Sequence, residues 1–330
     1  MKNWENKIKD KFGLGTAPIG NLFKDVSDEQ ACETIETAWN EGVRYFDTAP
    51  LYGAGLAELR LGKVLSKYNR DDYLLSTKVG RVILEETEDK EGLYADGRKN
   101  KVVTKYTEDA TKRSIEQSLE RLQTDRIDFI YVHDLSPDYF GDEWVGKFEE
   151  ARKGAFRVLE QLQSEGVIGG WGLGVNTTMP IELISSLKEF TPSISLSATQ
   201  YTLLQHEQAL RSMMPRAEEN GMSIVVGAPF SSGALLGGDH FNYDKVPFEI
   251  KSRVQQLNKI AEHHDVSLSA AALQFVSAHP AVAAVIPGST HPDRIKEDID
   301  AMKENIPEAF WEELIKDGLV SSEAPLPITK

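Results

Sequence analysis

The sequence is poor in the features that would mark a secreted or membrane-bound protein. It contains one cysteine in 330 residues, Cys32, so no internal disulfide can form. Cys32 falls in a helical pattern, where a small buried hydrophobic role is expected. No apolar run approaches the ~20 residues that a helix needs to cross a bilayer. The charged start "MKNWENKIKDKFG" lacks the apolar core of a secretory signal. We therefore expect a cytoplasmic protein.

Excess positive charge is also missing. The chain has 37 Lys and Arg against 52 Asp and Glu, which gives a formal net charge of −15. This balance argues against nucleic acid or an anionic membrane as the main partner. A content of 40% hydrophobic and 27% charged residues is typical of a globular protein with a sizeable core. Because no linker of Pro, Gly and Ser composition divides the chain, we expect one domain over residues 1–330.

Short apolar runs alternate with amphipathic helical patterns along the whole chain. Eight candidate strands fall near residues 12–16, 43–46, 73–77, 127–132, 168–175, 195–199, 223–227 and 282–287. Several intervening helices follow a Ser, Thr or Asp and end at a glycine, as helix caps prefer. Eight strands that each precede a helix predict an α/β fold, a single-domain (β/α)8 TIM barrel.

Three connections are longer than a simple helix turn requires. They cover residues 81–106, 134–150 and 228–248, and all follow strands, so they emerge at the C-terminal face of the predicted barrel. Active sites of such barrels form at that face. For residues 85–100, two alternatives are expected equally: a contribution to the site, or a surface insertion without a role in it.

Polar residues follow most of the predicted strands. They are Asp47, Lys78, His133, Asn176, Gln200 and the pair Gly288 and Ser289. Each alone has an ordinary structural explanation, as a turn cap, a solvated strand end or a hydrogen-bonded histidine. In a closed barrel, however, all of them converge on one mouth. Tyr52, five residues after Asp47, would join them there.

These side chains suit proton transfer to and from an oxygen atom. A phenol has an ordinary pKa near ~10, and a neighbouring ammonium group favours its ionised form. We therefore predict that Lys78 lowers the pKa of Tyr52, that Asp47 supports Lys78, and that His133 orients a substrate oxygen. Such chemistry fits the interconversion of alcohols and carbonyls, provided that a cofactor carries the hydride.

With these residues in these positions, the chain resembles the aldo-keto reductase family from about residue 12 to residue 318. The segments "FDTAPLYGAGLAELRLGKVL", "LLSTKVG" and "RLQTDRIDFIYVHDLSP" match three family motifs. The resemblance implies a nicotinamide cofactor lying across the barrel mouth. It also implies a catalytic tetrad of Asp47, Tyr52, Lys78 and His133, with Tyr52 as the proton donor or acceptor.

The same resemblance implies a set of cofactor-binding residues. Asn176 and Gln200 match the amides that hold the nicotinamide, while Ser289 and Arg294 match groups near a ribose 2′-phosphate. The further positions are Pro229, Ser231 and Gly233 in "GAPFSSGALLGG", Gly288, and Glu297 and Asp298 near the adenine. Gly288 replaces a lysine that often contacts the 2′-phosphate, so the cofactor is NADP or NAD. The aromatic that commonly stacks on the nicotinamide falls near Gly227 and is absent there.

Within the family, short loops resemble a subgroup that oxidises C1 of free aldoses, such as L-fucose or D-threo-aldoses, to lactones. Pyridoxal 4-dehydrogenase is a close relative of that subgroup and gives a second candidate activity. The resemblance is also compatible with a reductase of small aldehydes or ketones and with a cofactor-sensing regulatory subunit. The loop aromatics Trp144, Tyr139 and Phe140 are candidates for the substrate pocket.

The remaining histidines do not predict a metal site. His263 and His264 are adjacent, and neighbouring residues of a helix do not face the same way. We therefore expect no bound metal. The oligomeric state is left open.

Overall fold

Eight parallel strands form the centre of the computed structural model, which describes residues 4–327. The eight are β1 (Leu14–Gly15), β2 (Tyr45–Asp47), β3 (Leu74–Val79), β6 (Phe129–His133), β7 (Gly170–Val175), β8 (Ile194–Ala198), β9 (Ser223–Gly227) and β12 (Val282–Ile286). They neighbour one another in this order. Each predicted strand is present, within a few residues of its expected limits. The predicted domain span of 1–330 extends beyond the described part, because residues 1–3 and 328–330 lie outside it.

The first and last strands of this sheet close it into a barrel. The N–H of Gly13 donates to the carbonyl of Val285, and the N–H of Gly15 donates to that of Pro287, each at 3.0 Å. A parallel bridge also joins Gly15 to Gly288. The prediction of a (β/α)8 barrel is thus confirmed.

Helices surround the barrel. They are α1 (Asp28–Asn40), α2 (Leu56–Leu65), α3 (Glu108–Leu122), α4 (Pro137–Phe140), α5 (Trp144–Lys153), α6 (Ala155–Ser164), α7 (Met179–Ser186), α8 (Met214–Glu219), α9 (Phe248–His264), α10 (Leu268–Ala278), α11 (Pro292–Ala301) and α12 (Glu308–Lys316). The hydroxyls of Ser27, Thr107 and Ser267 accept backbone N–H groups at the starts of α1, α3 and α10. These caps satisfy N–H groups that the first turn leaves free. None of these helices is long and apolar enough to cross a membrane.

The three long connections contain ordered elements. Residues 81–106 form an antiparallel hairpin of β4 (Arg81–Thr87) and β5 (Asn100–Thr104). A smaller hairpin of β10 (His240–Phe241) and β11 (Asp244–Lys245) lies within residues 228–248. The third connection holds α4 and the start of α5. All three lie at the C-terminal ends of the barrel strands, as predicted.

Alternation along the strands separates two cores. Side chains that point outwards pack against the helices, whereas those that point inwards fill the barrel. Phe46 of β2, for example, belongs to the outer core, and its neighbour Tyr45 belongs to the inner one. The inner core also contains Phe129 and Tyr131 of β6.

Candidate active site

The inward-facing rows of three strands end in charged or polar residues. Two residues beyond Tyr45 comes Asp47, and two beyond Tyr131 comes His133. Lys78 lies on β3 in line with Leu74, which belongs to the inner core. Because every second side chain faces the same way, all three groups point into the barrel mouth. Strand β3 runs on to Val79, so Lys78 lies within the strand rather than after it.

Asp47 and Lys78 form a buried ion pair. The Nζ of Lys78 donates to Oδ2 of Asp47 at 2.7 Å, and the two side chains are 2% exposed or less. The same Nζ donates to the carbonyl of Thr48 at 2.9 Å. Burial raises the pKa of Asp47, and the charge of Lys78 opposes that shift. The predicted support of Lys78 by Asp47 is thus present as a direct contact.

A layer of hydroxyl groups lies beneath this pair. The Oγ of Ser76 donates to Oδ1 of Asp47 at 2.7 Å and lies 3.0 Å from the Oη of Tyr45. The Oη of Tyr45 in turn lies 3.0 Å from the Oη of Tyr131. All of these groups are buried. The Ser76 hydroxyl thus occupies Oδ1 of Asp47, while Oδ2 accepts from Lys78.

Two glycines place Tyr52 over the pair. The loop from β2 to α2 passes so close to the preceding segment that a Cβ at Gly53 would lie 2.3 Å from the carbonyl oxygen of Gly20. Gly53 also has φ of 64°, which favours glycine. Held there, the ring centre of Tyr52 is 4.7 Å from the Nζ of Lys78. The ring of His133 meets it edge to face, with centres 5.8 Å apart. The structure therefore brings the four predicted catalytic residues together.

The surroundings raise the pKa of Tyr52 overall. Burial, followed by the charge of Asp47, raises it well above its ordinary value, so the predicted lowering by Lys78 does not outweigh them. The sequence could not reveal how strongly this position is desolvated. Burial also lowers the pKa of His133 well below its usual range, with Lys78 and Arg81 adding to the effect. At neutral pH the site therefore holds a protonated phenol and a neutral imidazole.

A cavity of about 480 Å³ runs from the catalytic residues to the start of α11. Asp47 and Tyr52 line one end, and Ser289 and Arg294 line the other. Three more predicted cofactor positions, Pro229, Gly233 and Gly288, also line it.

The cavity suits an extended ligand with a negative group at the far end. Ser289 lies three residues before α11, whose first N–H groups favour an anion. The guanidinium of Arg294 is held by Glu297 at 3.2 Å and by Asp298 at 3.4 Å, and its buried Nη2 has no hydrogen-bond partner among the described residues. Ser289, Arg294 and the start of α11 would suit the phosphate groups of a nicotinamide dinucleotide, which would supply a hydride acceptor or donor when bound.

Close packing accounts for the glycine at position 288. A Cβ there would lie 2.8 Å from the ring atoms of Pro18. That distance is shorter than atoms tolerate, so a larger residue would push the β1 loop aside. The lysine that the family often carries at this position therefore cannot enter this backbone unchanged.

The remaining predicted cofactor residues do not line the cavity. Asn176 and Gln200 are half-buried, and Glu297 is exposed beside Arg294. Ser231 is buried against the hydroxyl of Thr202 at 3.2 Å. Asp298 is also buried, and burial raises its pKa to about 7. Contacts of these five residues with a cofactor stay predictions.

The three aromatics predicted for the substrate pocket have other contacts in the structure, and their role in substrate binding stays a prediction. Trp144 packs edge to face on Phe148, and Tyr139 lies over Arg81 with 4.7 Å between the ring centre and Cζ. Phe140 packs against Tyr106. None of the three predicted aromatics lines the described cavity, because α4 and α5 turn them towards the hairpin and the outer core.

Different aromatics surround Tyr52. The ring of Tyr94, from the β4–β5 connection, stacks on Tyr52 with centres 5.9 Å apart. Tyr243, at the turn between β10 and β11, lines the cavity, as does Phe23 of the β1 loop. None of these three aromatics was among the site residues predicted from the sequence. Their only signal was the presence of an aromatic residue in a loop at the barrel mouth. Tyr94 also shows that residues 85–100 contribute to the site and are not a mere surface insertion.

The adjacent histidines at the end of α9 do converge, against expectation. His264 Nε2 lies 2.6 Å and His263 Nδ1 3.2 Å from the same oxygen of Glu313 in α12. Their ligand atoms lie within 4.8 Å of one another. The separations match hydrogen bonds between the two rings and the carboxylate. The helix ends at this point, so adjacent side chains can reach one partner.

Comparison with known proteins agrees with this architecture. Residues 11–316 match the model of the aldo/keto reductase family. Two curated relatives align with 94% of this chain and over 94% of their own length. They are pyridoxal 4-dehydrogenase of Microbacterium luteolum at 35% identity and D-threo-aldose 1-dehydrogenase of a Pseudomonas species at 34%.

A solved structure is also similar over most of its length. The holo form of an aldo-keto reductase from Bacillus halodurans superposes with a TM-score of 0.70 at 26% identity, covering 94% of this chain and 92% of that one. The barrel, the assembled tetrad and these matches agree. The chain belongs to the aldo/keto reductase family and is an NAD(P)-dependent oxidoreductase.

Proposed function

We propose that this enzyme oxidises a small cyclic hemiacetal to a lactone, with C1 of a free aldose as the favoured substrate. The observation that carries the proposal is the position of Tyr52. Its phenol lies at the inner end of the cavity, over the Lys78–Asp47 pair and beside His133. A hemiacetal carbon bears a hydroxyl group, whose proton such a site can take, and a C–H bond, whose hydrogen can leave as a hydride.

The reaction separates into a proton and a hydride. The C–H bond of the hemiacetal carbon breaks with its electron pair, and the ring carbon becomes a lactone carbonyl. When bound, NAD⁺ or NADP⁺ supplies the hydride acceptor. Tyr52, in its ionised form, takes the proton from the hemiacetal hydroxyl. His133, which is neutral, donates to or accepts from that same oxygen and so fixes its position.

Lys78 has two tasks in this scheme. Its ammonium, 4.7 Å from the ring centre of Tyr52, favours the phenolate form and so offsets part of the opposing effect of burial. Its hydrogen bonds to Asp47 and Thr48 hold the Nζ in place through the reaction. A positioned acid or base of this kind contributes ~10² to 10⁴ in rate.

The relatives favour this substrate class without selecting one member. Free aldoses and pyridoxal both exist as cyclic hemiacetals, and the two enzyme names at 34–35% identity cover one of each. Pyridoxal is therefore the second candidate. The reverse reaction on small aldehydes or ketones, which needs the same four residues, is the third.

A spectrophotometric panel tests the proposal. Purified enzyme with NAD⁺ or NADP⁺ is offered L-fucose, D-arabinose, L-galactose and pyridoxal, and absorbance of the reduced nicotinamide is recorded. Methyl α-L-fucopyranoside serves as the matched control, because its blocked C1 oxygen has no proton to give. We expect turnover of at least one hemiacetal and none of the glycoside.

Two outcomes would contradict the proposal. Inactivity towards all four hemiacetals, together with reduction of simple aldehydes, would make the enzyme a carbonyl reductase. Binding of cofactor with no turnover above ~1 s⁻¹ in either direction would favour a cofactor-sensing regulatory subunit.

A further inference from the structure

The residue after the catalytic histidine, Asp134, has one carboxylate oxygen occupied and one free. Its Oδ2 accepts from Nη2 of Arg81 at 2.8 Å. Its Oδ1 lies 3.6 Å from Nε2 of His133, too far for a hydrogen bond. No other hydrogen bond from the described residues reaches Oδ1. Because the Asp134 side chain is not fully buried, this oxygen is open to a partner that enters beside the catalytic histidine.

Arg81 is held rigidly in place. It is 1% exposed, and the ring of Tyr139 covers its guanidinium. Its Nη1 donates to the Oη of Tyr106 at 3.3 Å, and that hydroxyl donates to the carbonyl of His133 at 2.7 Å. Arg81 therefore fixes the direction of the Asp134 carboxylate relative to the histidine.

The backbone also holds Asp134 in an unusual conformation. Its φ is 50°, in the left-handed region that residues other than glycine seldom adopt. Its N–H donates to the carbonyl of Gly174 at 2.9 Å, which fixes the chain just beyond β6. Such conformations concentrate at functional sites, where the surrounding structure enforces them.

Asp134 faces the catalytic mouth. Its side chain retains 12% exposure. After burial, its charge contributes to the raised pKa values of Tyr52, Tyr94 and Tyr243. Tyr52 and Tyr243 line the cavity, and Tyr94 and His133 contact the ring of Tyr52. The Asp134 oxygen that lies 3.6 Å from His133 is therefore close to this group of rings.

We infer that Oδ1 of Asp134 accepts a hydrogen bond from a substrate hydroxyl on the carbon next to the reacting carbon. If His133 holds the reacting oxygen through Nε2, an acceptor 3.6 Å away is suited to the neighbouring oxygen, because vicinal oxygens are separated by about the length of a hydrogen bond. In an aldose this is the C2 hydroxyl; pyridoxal has no hydroxyl on that carbon, because its phenol is attached one carbon further along. The identity of the hydroxyl rests on the proposed function; the preference for an adjacent donor does not.

Substrates without the adjacent hydroxyl should be poor. A charge-assisted hydrogen bond that is lost from a desolvated site lowers kcat/KM about 10- to 100-fold. The wild-type enzyme should therefore prefer D-arabinose over 2-deoxy-D-ribose, which is its 2-deoxy counterpart, by such a factor.

The test compares this preference in the wild type, Asp134→Asn and Asp134→Ala. We expect both variants to lose activity towards D-arabinose while activity towards the deoxy sugar changes little, so that the preference falls towards unity. Equal losses on both sugars would overturn the inference, since the carboxylate would then act through His133 or the fold. An undiminished preference in both variants would overturn it too.

Asp128→Asn is the matched control. Asp128 pairs with Arg70 next to the opposite end of β6, so the substitution removes a similar ion pair far from the mouth. It should leave the sugar preference unchanged. Thermal unfolding of all variants shows whether Asp134→Asn and Asp134→Ala remain folded.

The reductive reaction separates this inference from the proposed function. If the enzyme oxidises no aldose, the same variants are assayed for reduction of D-glyceraldehyde, which has the adjacent hydroxyl, and propanal, which lacks it. A preference for D-glyceraldehyde that depends on Asp134 would support the inference although the aldose proposal had failed. No preference, or no turnover of the hydroxylated compound in either direction, would reject it.

Discussion

The ammonium group of Lys78 lies 2.7 Å from the carboxylate of Asp47, inside the barrel, where both side chains are almost fully buried. Two opposite charges at this depth depend on each other, because neither has solvent as a substitute partner. The pair is therefore a structural element as well as part of the catalytic site.

Replacing Asp47 with alanine should destabilise the protein strongly. The substitution leaves the Lys78 ammonium buried with only the Thr48 carbonyl as a partner. We expect the free energy of unfolding to fall by about 3–5 kcal/mol, as measured by urea denaturation.

Lys67→Ala provides the comparison, since Lys67 pairs with Glu36 on the exposed surface at the same distance of 2.7 Å. Surface pairs contribute little, so this variant should unfold almost as the wild type does. Similar destabilisation by both changes would show that burial is not what makes the Lys78–Asp47 pair important.

The pH dependence of the reaction should differ in its two directions. Burial, with Asp47 adding to it, raises the pKa of Tyr52, so the phenolate is a minor species at neutral pH. Oxidation requires that phenolate, and kcat/KM should rise about tenfold per pH unit between pH 6 and 9. Reduction requires the protonated phenol and should hardly change over this range.

His133 should contribute no titration step to these pH–rate profiles, because burial lowers its pKa well below the usual value and the imidazole stays neutral. Initial rates at saturating cofactor in a series of constant-ionic-strength buffers measure both directions. A bell-shaped oxidation profile with a limb near pH 6.5 would contradict this assignment.

The cofactor preference should depend on Arg294. Its guanidinium lies at the far end of the cavity, beside Ser289 and over the ring of Phe230. We expect Arg294→Met to weaken binding of NADP⁺ about 10- to 100-fold and to change NAD⁺ binding little, as titrated by protein fluorescence.

Lys296→Met is a suitable control, because it removes a positive charge from an exposed position of the same helix. Equal weakening of both cofactors by Arg294→Met would place the guanidinium away from a 2′-phosphate.

Much of this site could be predicted from the sequence because strand alternation and motif position carry the information. Asp47, Lys78 and His133 each stand at the end of a readable apolar strand, and barrel closure brings such ends together. Tyr52 could be placed because it follows Asp47 by only five residues, in the loop that leaves the same strand.

The remaining features depend on packing that no local pattern encodes. Tyr94 contacts Tyr52 only because the β4–β5 hairpin folds over the mouth. The charged composition of this segment does not predict that position. Trp144 looked suitable for a substrate pocket, but the turn into α5 directs it to Phe148 instead. The raised pKa of Tyr52 likewise follows from tertiary surroundings, namely burial and the nearby charge of Asp47.

Tyr52→Phe tests most directly whether Tyr52 carries the proton in the reaction. The rate of cofactor reduction with the best hemiacetal substrate is compared among the wild type, Tyr52→Phe and Tyr94→Phe, alongside cofactor binding by fluorescence. We predict that Tyr52→Phe loses ~10² to 10⁴ in kcat with cofactor affinity unchanged, whereas Tyr94→Phe keeps most of its activity. A Tyr52→Phe enzyme with kcat within a few-fold of the wild type would contradict the assignment of Tyr52 as the group that carries the proton.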